Sequence, residues 1–275
     1  MRNIAMIVSY DGTNYSGFQS QPGCLTIQGE LEKALFVLTG QHIRVNGSGR
    51  TDAGVHAKGQ VINFRTDCGI PVERFALAIN ARLPGDIVVQ SVYEAPQEFH
   101  ARHDPKSKTY RYSILCSRFA DVFRRKYELH HPTPLDFAAM AKGLEHLIGE
   151  HDFSSFASPK STKSSHVRTI YECRLEVETL LPFEDTDAWR YPGKQRGRIH
   201  LYVKGNGFLY NMVRIIAATV ILIGEGKLSP SDMARILVAK DRSQAAPTAA
   251  PHALSLWALD YGEVFGDKPE TPDEA

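Results

Sequence analysis

The sequence predicts an α+β protein: two similar halves, mainly antiparallel sheets flanked by helices, with a cleft between them. Three observations carry that expectation. Short runs with apolar residues at every second position recur along the chain, as half-buried strands require. Between them lie stretches whose apolar residues fall three and four apart, the stripe of a helix packed on a sheet. Both halves repeat a coarse order of strand, helix and strands, with the division near Asp104 and no residue-level repeat. The expected units are residues 1–104, residues 105–262 and a polar, acidic, disordered tail over 263–275.

Ile4 to Tyr10 places Ile4, Met6, Val8 and Tyr10 on one side, a strand by its period of two, and Asp11-Gly12-Thr13-Asn14 breaks it as a turn. Ile27, Leu31, Ala34, Leu35 and Leu38 predict a helix. A strand through Ile43-Arg44-Val45 is expected next, then a Gly-rich loop and a strand over Gln60 to Phe64. A second helix is expected over Glu73 to Leu83, closed by Pro84-Gly85, and a strand over Ile87 to Tyr93.

Phe99 to Pro105 reads as a connector, and Thr109 to Leu115 as a strand. His100 and His103 stand three apart, as metal ligands on a helix do, but Pro105 and the lack of an acidic partner favour ordinary surface histidines. Thr133-Pro134-Leu135-Asp136 has the grammar of a helix start, with a hydroxyl at the N-cap and proline next. Phe137, Met140, Ala141, Leu144 and Leu147 would form that helix's packed face. Lys160 to Arg168 reads as a basic, Ser-rich surface loop. Tyr171, Cys173, Leu175 and Val177 alternate with charged residues, so they should face inward from a half-exposed strand. Ile199 to Val203 is a further strand, and an almost wholly apolar helix runs from about Leu209 to Ile223 with Arg214 as its lone cation. A buried arginine is costly unless paired; one near a helix start can instead reach solvent. Ser229-Pro230-Ser231-Asp232 opens a last helix by capping box, and Ala258 to Tyr261 is a closing strand.

Composition narrows the classes. The 275 residues suffice for one large or two ordinary domains, and 43% hydrophobic with 23% charged residues reads as globular. With 32 basic and 31 acidic residues the net charge is +1, so any nucleic-acid surface must come from local clustering. Cys24, Cys68, Cys116 and Cys173 form no C-x-x-C pair, which argues against zinc or a disulfide framework and suits a reducing cytoplasm. No signal-peptide pattern opens the chain, and Met212 to Ile223 is too short to span a bilayer.

The stretch with most chemical content is Asn46 to Ala57. Three glycines within it leave the backbone free to approach a ligand closely, and Arg50, Thr51 and Asp52 supply a cation, a hydroxyl and a carboxylate. Such a loop between regular elements can hold reactive groups, although an aspartate there also serves as a turn or capping residue. It lacks the Lys-Ser/Thr ending of a phosphate-binding P-loop.

Read with segments elsewhere, this loop resembles the tRNA pseudouridine synthase A family along nearly the whole chain. Tyr10-Asp11-Gly12-Thr13 with Gly17-Phe18-Gln19-Ser20-Gln21 is similar to its opening motif, and Gly49-Arg50-Thr51-Asp52-Ala53-Gly54-Val55-His56-Ala57 to its catalytic motif. Phe99-His100-Ala101-Arg102 and Lys108-Thr109-Tyr110-Arg111-Tyr112 resemble its middle motif. Gly149 to Phe153 with Val167 to Ile170, and Gly205 to Arg214, resemble later ones. Five segments in the same order make the resemblance specific. Pro105, where alanine is more usual, and Ala253-Leu254-Ser255-Leu256, in place of a Gly-Leu-Tyr-Leu-like ending, depart from the pattern away from the catalytic motif.

The resemblance implies a cytoplasmic enzyme that converts uridine to pseudouridine at positions 38, 39 and 40 in the anticodon arm of tRNA. It implies Asp52 as the catalytic nucleophile, Arg214 as its partner, Tyr110 packing on the target uracil and Arg50 helping to hold the nucleotide out of its stack. It further implies no cofactor, no metal, no membrane association, and a homodimer with one tRNA lying across both subunits. A rival reading is a catalytically silent tRNA-binding or folding-assisting module that uses Lys160 to Arg168 with Arg102, Lys106, Lys108 and Arg111.

Overall fold

The computed structural model describes residues 1–161, 163–178 and 190–265. They group into two compact units, Met1–Lys108 with the segment from Leu256 onward, and Thr109–Ser255. The architecture is α+β and mainly antiparallel.

The first unit is built on β1 (Arg2–Tyr10), which lies between β3 (His56–Thr66) and β4 (Ile87–Ala95), antiparallel to both. Ile4 pairs with Phe64, Met6 with Ile62 and Val8 with Gln60. Ile4, Met6, Val8 and Tyr10 are all buried, as their alternation predicts. Asn3 and Ala5 on the opposite face are buried too, because Ala5 packs with Val61, Ala95, Phe99, Ala101 and Tyr261 in a second core. β1 is thus covered on both faces and paired on both edges. The last strand, β10 (Leu254–Asp260), returns from Leu256 to this unit and lies beside β3.

α1 (Ile27–Thr39) starts at Thr26, whose hydroxyl accepts from Gly29 N–H, and ends at Gly40 in a left-handed conformation. The strand expected at Ile43–Val45 does not form; only the two-residue β2 (Asn46–Gly47) pairs with β3. The reason is visible in α1. Glu32 Oε1 accepts from Val45 N–H at 3.0 Å and Gln28 Nε2 donates to Val45 O at 3.4 Å, so helix side chains take the groups a ladder would have used. α2 covers Val72–Asn80 and stops before the expected Leu83. Asn80 is diverted to hold β4, donating to Val89 O at 2.9 Å and accepting from Val89 N–H at 2.8 Å.

In the second unit β5 (Ser107–Cys116), β9 (Gly197–Gly205), β8 (Val167–Glu178) and β7 (Gly149–Asp152) are neighbours in that order, and β6 (Leu129–His131) runs parallel to β5. α3 (Phe137–Glu145), α4 (Met212–Gly224) and α5 (Pro230–Ala239) pack together. α3 is capped by Asp136, which accepts from Ala139 N–H at 2.8 Å, and not by Thr133. Leu135 exchanges backbone hydrogen bonds with Gln195, which keeps the chain extended one residue before the cap. Ala141, expected on the packed face, is exposed; Gly143 takes that place. α5 starts with the expected capping box at Ser229 and Asp232.

β8 departs from its alternation. Ile170 and Cys173 are buried, whereas Tyr171 is 50% exposed and Val177 46%. The register against β9 slips between Ile170 and Glu172, and that bulge turns Tyr171 outward. β8 also takes in Val167 and Arg168, the end of the expected surface loop. α4 begins at Met212 rather than Leu209, because Asn211 stands in the left-handed region at φ 63°. Of the expected tail, Glu263 to Phe265 lie in a 3-10 turn, Gly262–Phe265, and the remainder lies outside the described residues.

One buried ion cluster ties the segment before β6 to β9. Arg198 is 5% exposed, and its Nε donates to Glu128 Oε2 at 2.7 Å, its Nη1 to Glu178 Oε1 at 2.9 Å and its Nη2 to Asp121 Oδ2 at 3.4 Å. Glu128 is itself only 4% exposed. Arg198→Ala is therefore expected to cost about 3–5 kcal/mol, because it strands a buried carboxylate. A urea unfolding midpoint equal to that of the wild type would contradict this.

Candidate active site

Between β2 and β3 the chain spans Ser48 to Val55 without regular structure, yet nearly every backbone turn there is tied down. Ser48 N–H donates to Val61 O at 2.9 Å, and Lys108 Nζ donates to Ser48 O at 2.5 Å. Gln60, fully buried in β3, grips Gly49 with both ends of its amide: Nε2 donates to Gly49 O at 2.7 Å and Oε1 accepts from Gly49 N–H at 3.3 Å. Thr51 turns inward, its Oγ1 lying 2.7 Å from the hydroxyl of Tyr10 on β1. Thr51 O accepts from Phe18 N–H at 3.0 Å, Asp52 O from Val55 N–H at 3.1 Å, and Tyr15 O from Gly54 N–H at 3.4 Å. At the far end Gly12 N–H donates to Nδ1 of the buried His56 at 3.0 Å.

The result is a flexible sequence held stiff from behind. Thr51, Val55 and His56 are buried, Asp52 is half-buried, and Arg50 and Ala53 are exposed. Asp52 and Arg50 therefore stand at the outer side of a loop whose inner side is part of the core. Two glycines on the neighbouring turn make this approach possible. A Cβ on Gly12 would lie 2.0 Å from Val55 O, and one on Gly17, whose φ is +91°, would lie 2.6 Å from Thr51 O.

Tyr110 and Arg214 belong to the second unit. Tyr110, on β5, meets the ring of Phe208 edge-on, with centroids 5.1 Å apart and an interplanar angle of 84°. Arg214 lies in the first turn of α4, half-buried. Its Nε donates to Ala249 O at 2.7 Å and its Nη1 to Asn211 Oδ1 at 2.9 Å, so the guanidinium is aimed by two fixed acceptors. Tyr112 is fully buried, which pushes its phenol above the ordinary value; the Arg214 charge acts in the opposite sense. His100 and His103 sit in a short turn with rings 4.5 Å apart, and no group of three metal-ligating side chains occurs among the described residues. Among those residues no helix is long and apolar enough to cross a membrane.

A sequence profile described as tRNA pseudouridine synthase matches residues 6–104 and 144–262. The chain is 44% identical over 261 residues to tRNA pseudouridine synthase A of Brevibacillus brevis, covering 95% of this chain and 100% of that protein. The enzyme of the same name from Geobacillus kaustophilus is 46% identical over 261 residues, 94% and 95% of the two chains, and that from Halalkalibacterium halodurans 45% over 255 residues, 92% and 90%. The chain belongs to the tRNA pseudouridine synthase A family.

Within the family match, Arg50 and Asp52 fall in the first matched segment and Arg214 in the second, while Tyr110 lies between the two. The divergent stretch Ala253-Leu254-Ser255-Leu256 is well packed, with Ala253, Leu254 and Leu256 all buried. Sequence reasoning missed Tyr10, Gln60, Phe208 and Asn211 as supports of the site. Tyr10, Phe208 and Asn211 lie within motifs that carried the resemblance, and Gln60 stands as a polar residue at the head of the strand run Val61 to Phe64.

Gly12→Ala should drive a methyl group into the Val55 carbonyl and cost about 1–3 kcal/mol in stability. Gly69→Ala meets nothing within 4 Å and serves as the control, with a change below about 0.5 kcal/mol. Thermal melts of the two variants check this, together with hydrogen exchange at Gly54 and Val55, which should quicken only in the first.

Proposed function

We propose that this protein isomerises uridine to pseudouridine at positions 38, 39 and 40 in the anticodon arm of tRNA. In this reading it works in the cytoplasm as a homodimer with one tRNA lying across both subunits. The observation that carries the reading is the loop. A chain of this family holds a half-buried aspartate, Asp52, at the outer side of a backbone pinned by Gln60, Tyr10 and Phe18.

Uridine and pseudouridine are isomers, so the chemistry balances within the substrate. The C1′–N1 bond breaks, the base turns, C1′ bonds to C5, the C5 proton leaves and N1 gains one. No oxidant or reductant enters. Asp52 acts as the nucleophile that carries the substrate between the two bonded states. The alternative use of the same carboxylate, as the base that opens a glycal route, needs the same position and the same ionised form. Arg214 is its counter-ion and keeps it ionised at neutral pH. The Asn211 and Ala249 acceptors support that role by fixing the guanidinium before substrate arrives.

The target base must leave its stack, at a cost of about a few kcal/mol. Tyr110 offers it a flat face braced by Phe208, and the exposed Arg50 offers a cation for phosphate or for the vacated gap. Arg102, Lys106 and the basic residues from Lys160 to Arg168 add to the attraction for a polyanion.

Asp52→Asn is expected to lower tritium release from C5-labelled uridine in tRNA by on the order of 10⁴-fold or more, as loss of a nucleophile does. Binding of tRNA should stay within about threefold of wild type, since phosphate contacts supply most of the affinity. Transcripts with cytidine at positions 38, 39 and 40 should release no tritium with the wild type. Release that survives the Asn substitution would rule out the assigned role, and release from the cytidine transcripts would rule out the assigned positions.

A further inference from the structure

Thr51 precedes Asp52 by one residue and points the opposite way. Its hydroxyl meets that of Tyr10 at 2.7 Å in the core of the first unit, where Thr51 is 6% exposed, Tyr10 5% and Gln60 0%. We propose that the Tyr10–Thr51 pair, seconded by Gln60, is a positioning device for Asp52: it sets the peptide that carries the carboxylate and touches no substrate. The inference rests on Asp52 being the catalytic group.

The geometry carries it in three steps. A Gly-rich loop has a backbone that would otherwise sample many conformations, and a catalytic group loses about 10²-fold in rate when displaced by about 1 Å. The two carbonyls that flank the Asp52 Cα are both fixed, Thr51 O by Phe18 N–H at 3.0 Å and Asp52 O by Val55 N–H at 3.1 Å. The Val55 bond closes a turn within the loop, while Phe18 N–H and the Tyr15 carbonyl, which accepts from Gly54 N–H at 3.4 Å, tie the loop to the turn after β1. The Tyr10 hydroxyl ties it to β1 itself, because it holds Thr51 by its side chain, and Gln60 ties Gly49, two residues earlier, to β3.

The anchor is stiff. Tyr10 ends β1, where it pairs with Ala57 of β3 and Ile87 of β4. Burial pushes its phenol up to about 12, against the opposing pull of hydrogen bonds from Thr51 and Gln60. The hydroxyl thus stays protonated at any pH where the carboxylate works. Stability alone does not require this pair, since replacing both partners of a buried hydrogen bond by apolar groups of the same shape is nearly neutral.

That asymmetry supplies the test. Full-length wild type, Tyr10→Phe, Thr51→Val, Thr51→Ser and the double variant Tyr10→Phe/Thr51→Val are compared by thermal melt and by tritium release from tRNA labelled at C5 of uridine. Thr51→Val alone removes one of the two hydrogen-bond partners of the buried Tyr10 hydroxyl and should lower both the melting temperature and kcat. In the double variant the melting temperature should return to near the wild-type value. Its KM for tRNA should stay within about threefold while kcat stays about 10- to 100-fold down. Thr51→Ser keeps the hydroxyl and should hold kcat within about threefold of wild type.

A kcat that recovers together with the melting temperature in the double variant would reduce the pair to a structural role and overturn the proposal. A rise in KM at unchanged kcat would overturn it as well. Should the double variant not fold, Tyr10→Phe decides by the same split, because it removes the anchor and leaves the loop sequence intact. Asp52→Asn is run beside them. Release unaffected by Asp52→Asn removes the reading of the site and the positioning role with it; a dead Asp52→Asn beside a fully active double variant removes the positioning role alone.

Discussion

A half-buried carboxylate on a Gly-rich loop has a defined position only if its backbone is held from behind, and the contact between the Gly49–Val55 loop and the edge of β1 and β3 holds it. Deep burial would protonate Asp52 or demand a permanent partner, while a free loop would leave it without a defined position. The protein separates the two demands by residue. Thr51, Val55 and His56 enter the core, and Arg50, Asp52 and Ala53 face out. The bonds from Gln60, Phe18 and Tyr15 reach the backbone of the loop, and the one from Tyr10 reaches the Thr51 side chain.

Much of the first unit follows from supplying that platform. β1 can serve as an anchor because it is paired on both edges and covered on both faces. Its two cores explain why Ala5 and Asn3 are as buried as Ile4 and Met6. The opening turn after β1 comes close enough to hold the loop only because Gly12 and Gly17 lack a Cβ. In the second unit α4 is apolar on almost every side, and its one cation sits in the first turn, where Asn211 and the Ala249 carbonyl orient it. Neither the cost of burying an arginine nor its freedom to reach solvent describes that position alone; the guanidinium is half-buried and directed.

Four departures from the expected elements share one cause, which is a side chain or a distant strand that competes for backbone groups. Ile43–Val45 has the composition of a strand, yet Glu32 and Gln28 claim the hydrogen bonds of Val45. Thr133 has the grammar of a cap, yet Gln195 holds Leu135 extended and passes the cap to Asp136. Tyr171 follows the alternation of β8, yet a bulge against β9 turns it outward. Asn80 ends α2 early because β4 needs its amide. Local pattern carries no information about such partners, which lie from 9 to 60 positions away in the chain.

By itself the sequence determined the α+β class, the alternation that buries β1, the capping box of α5, and the placing of Arg50, Thr51 and Asp52 on a Gly-rich loop between regular elements. These are properties of neighbours along the chain, where period and turn chemistry act directly. Only the tertiary structure decided that Leu256–Asp260 returns to the first unit, that Gln60 and Tyr10 stand behind the loop, and that Phe208 and Asn211 brace Tyr110 and Arg214. A motif names such residues without saying what each one touches; what makes the pairings matter is the direction of one hydroxyl, amide or ring toward a group brought near by folding.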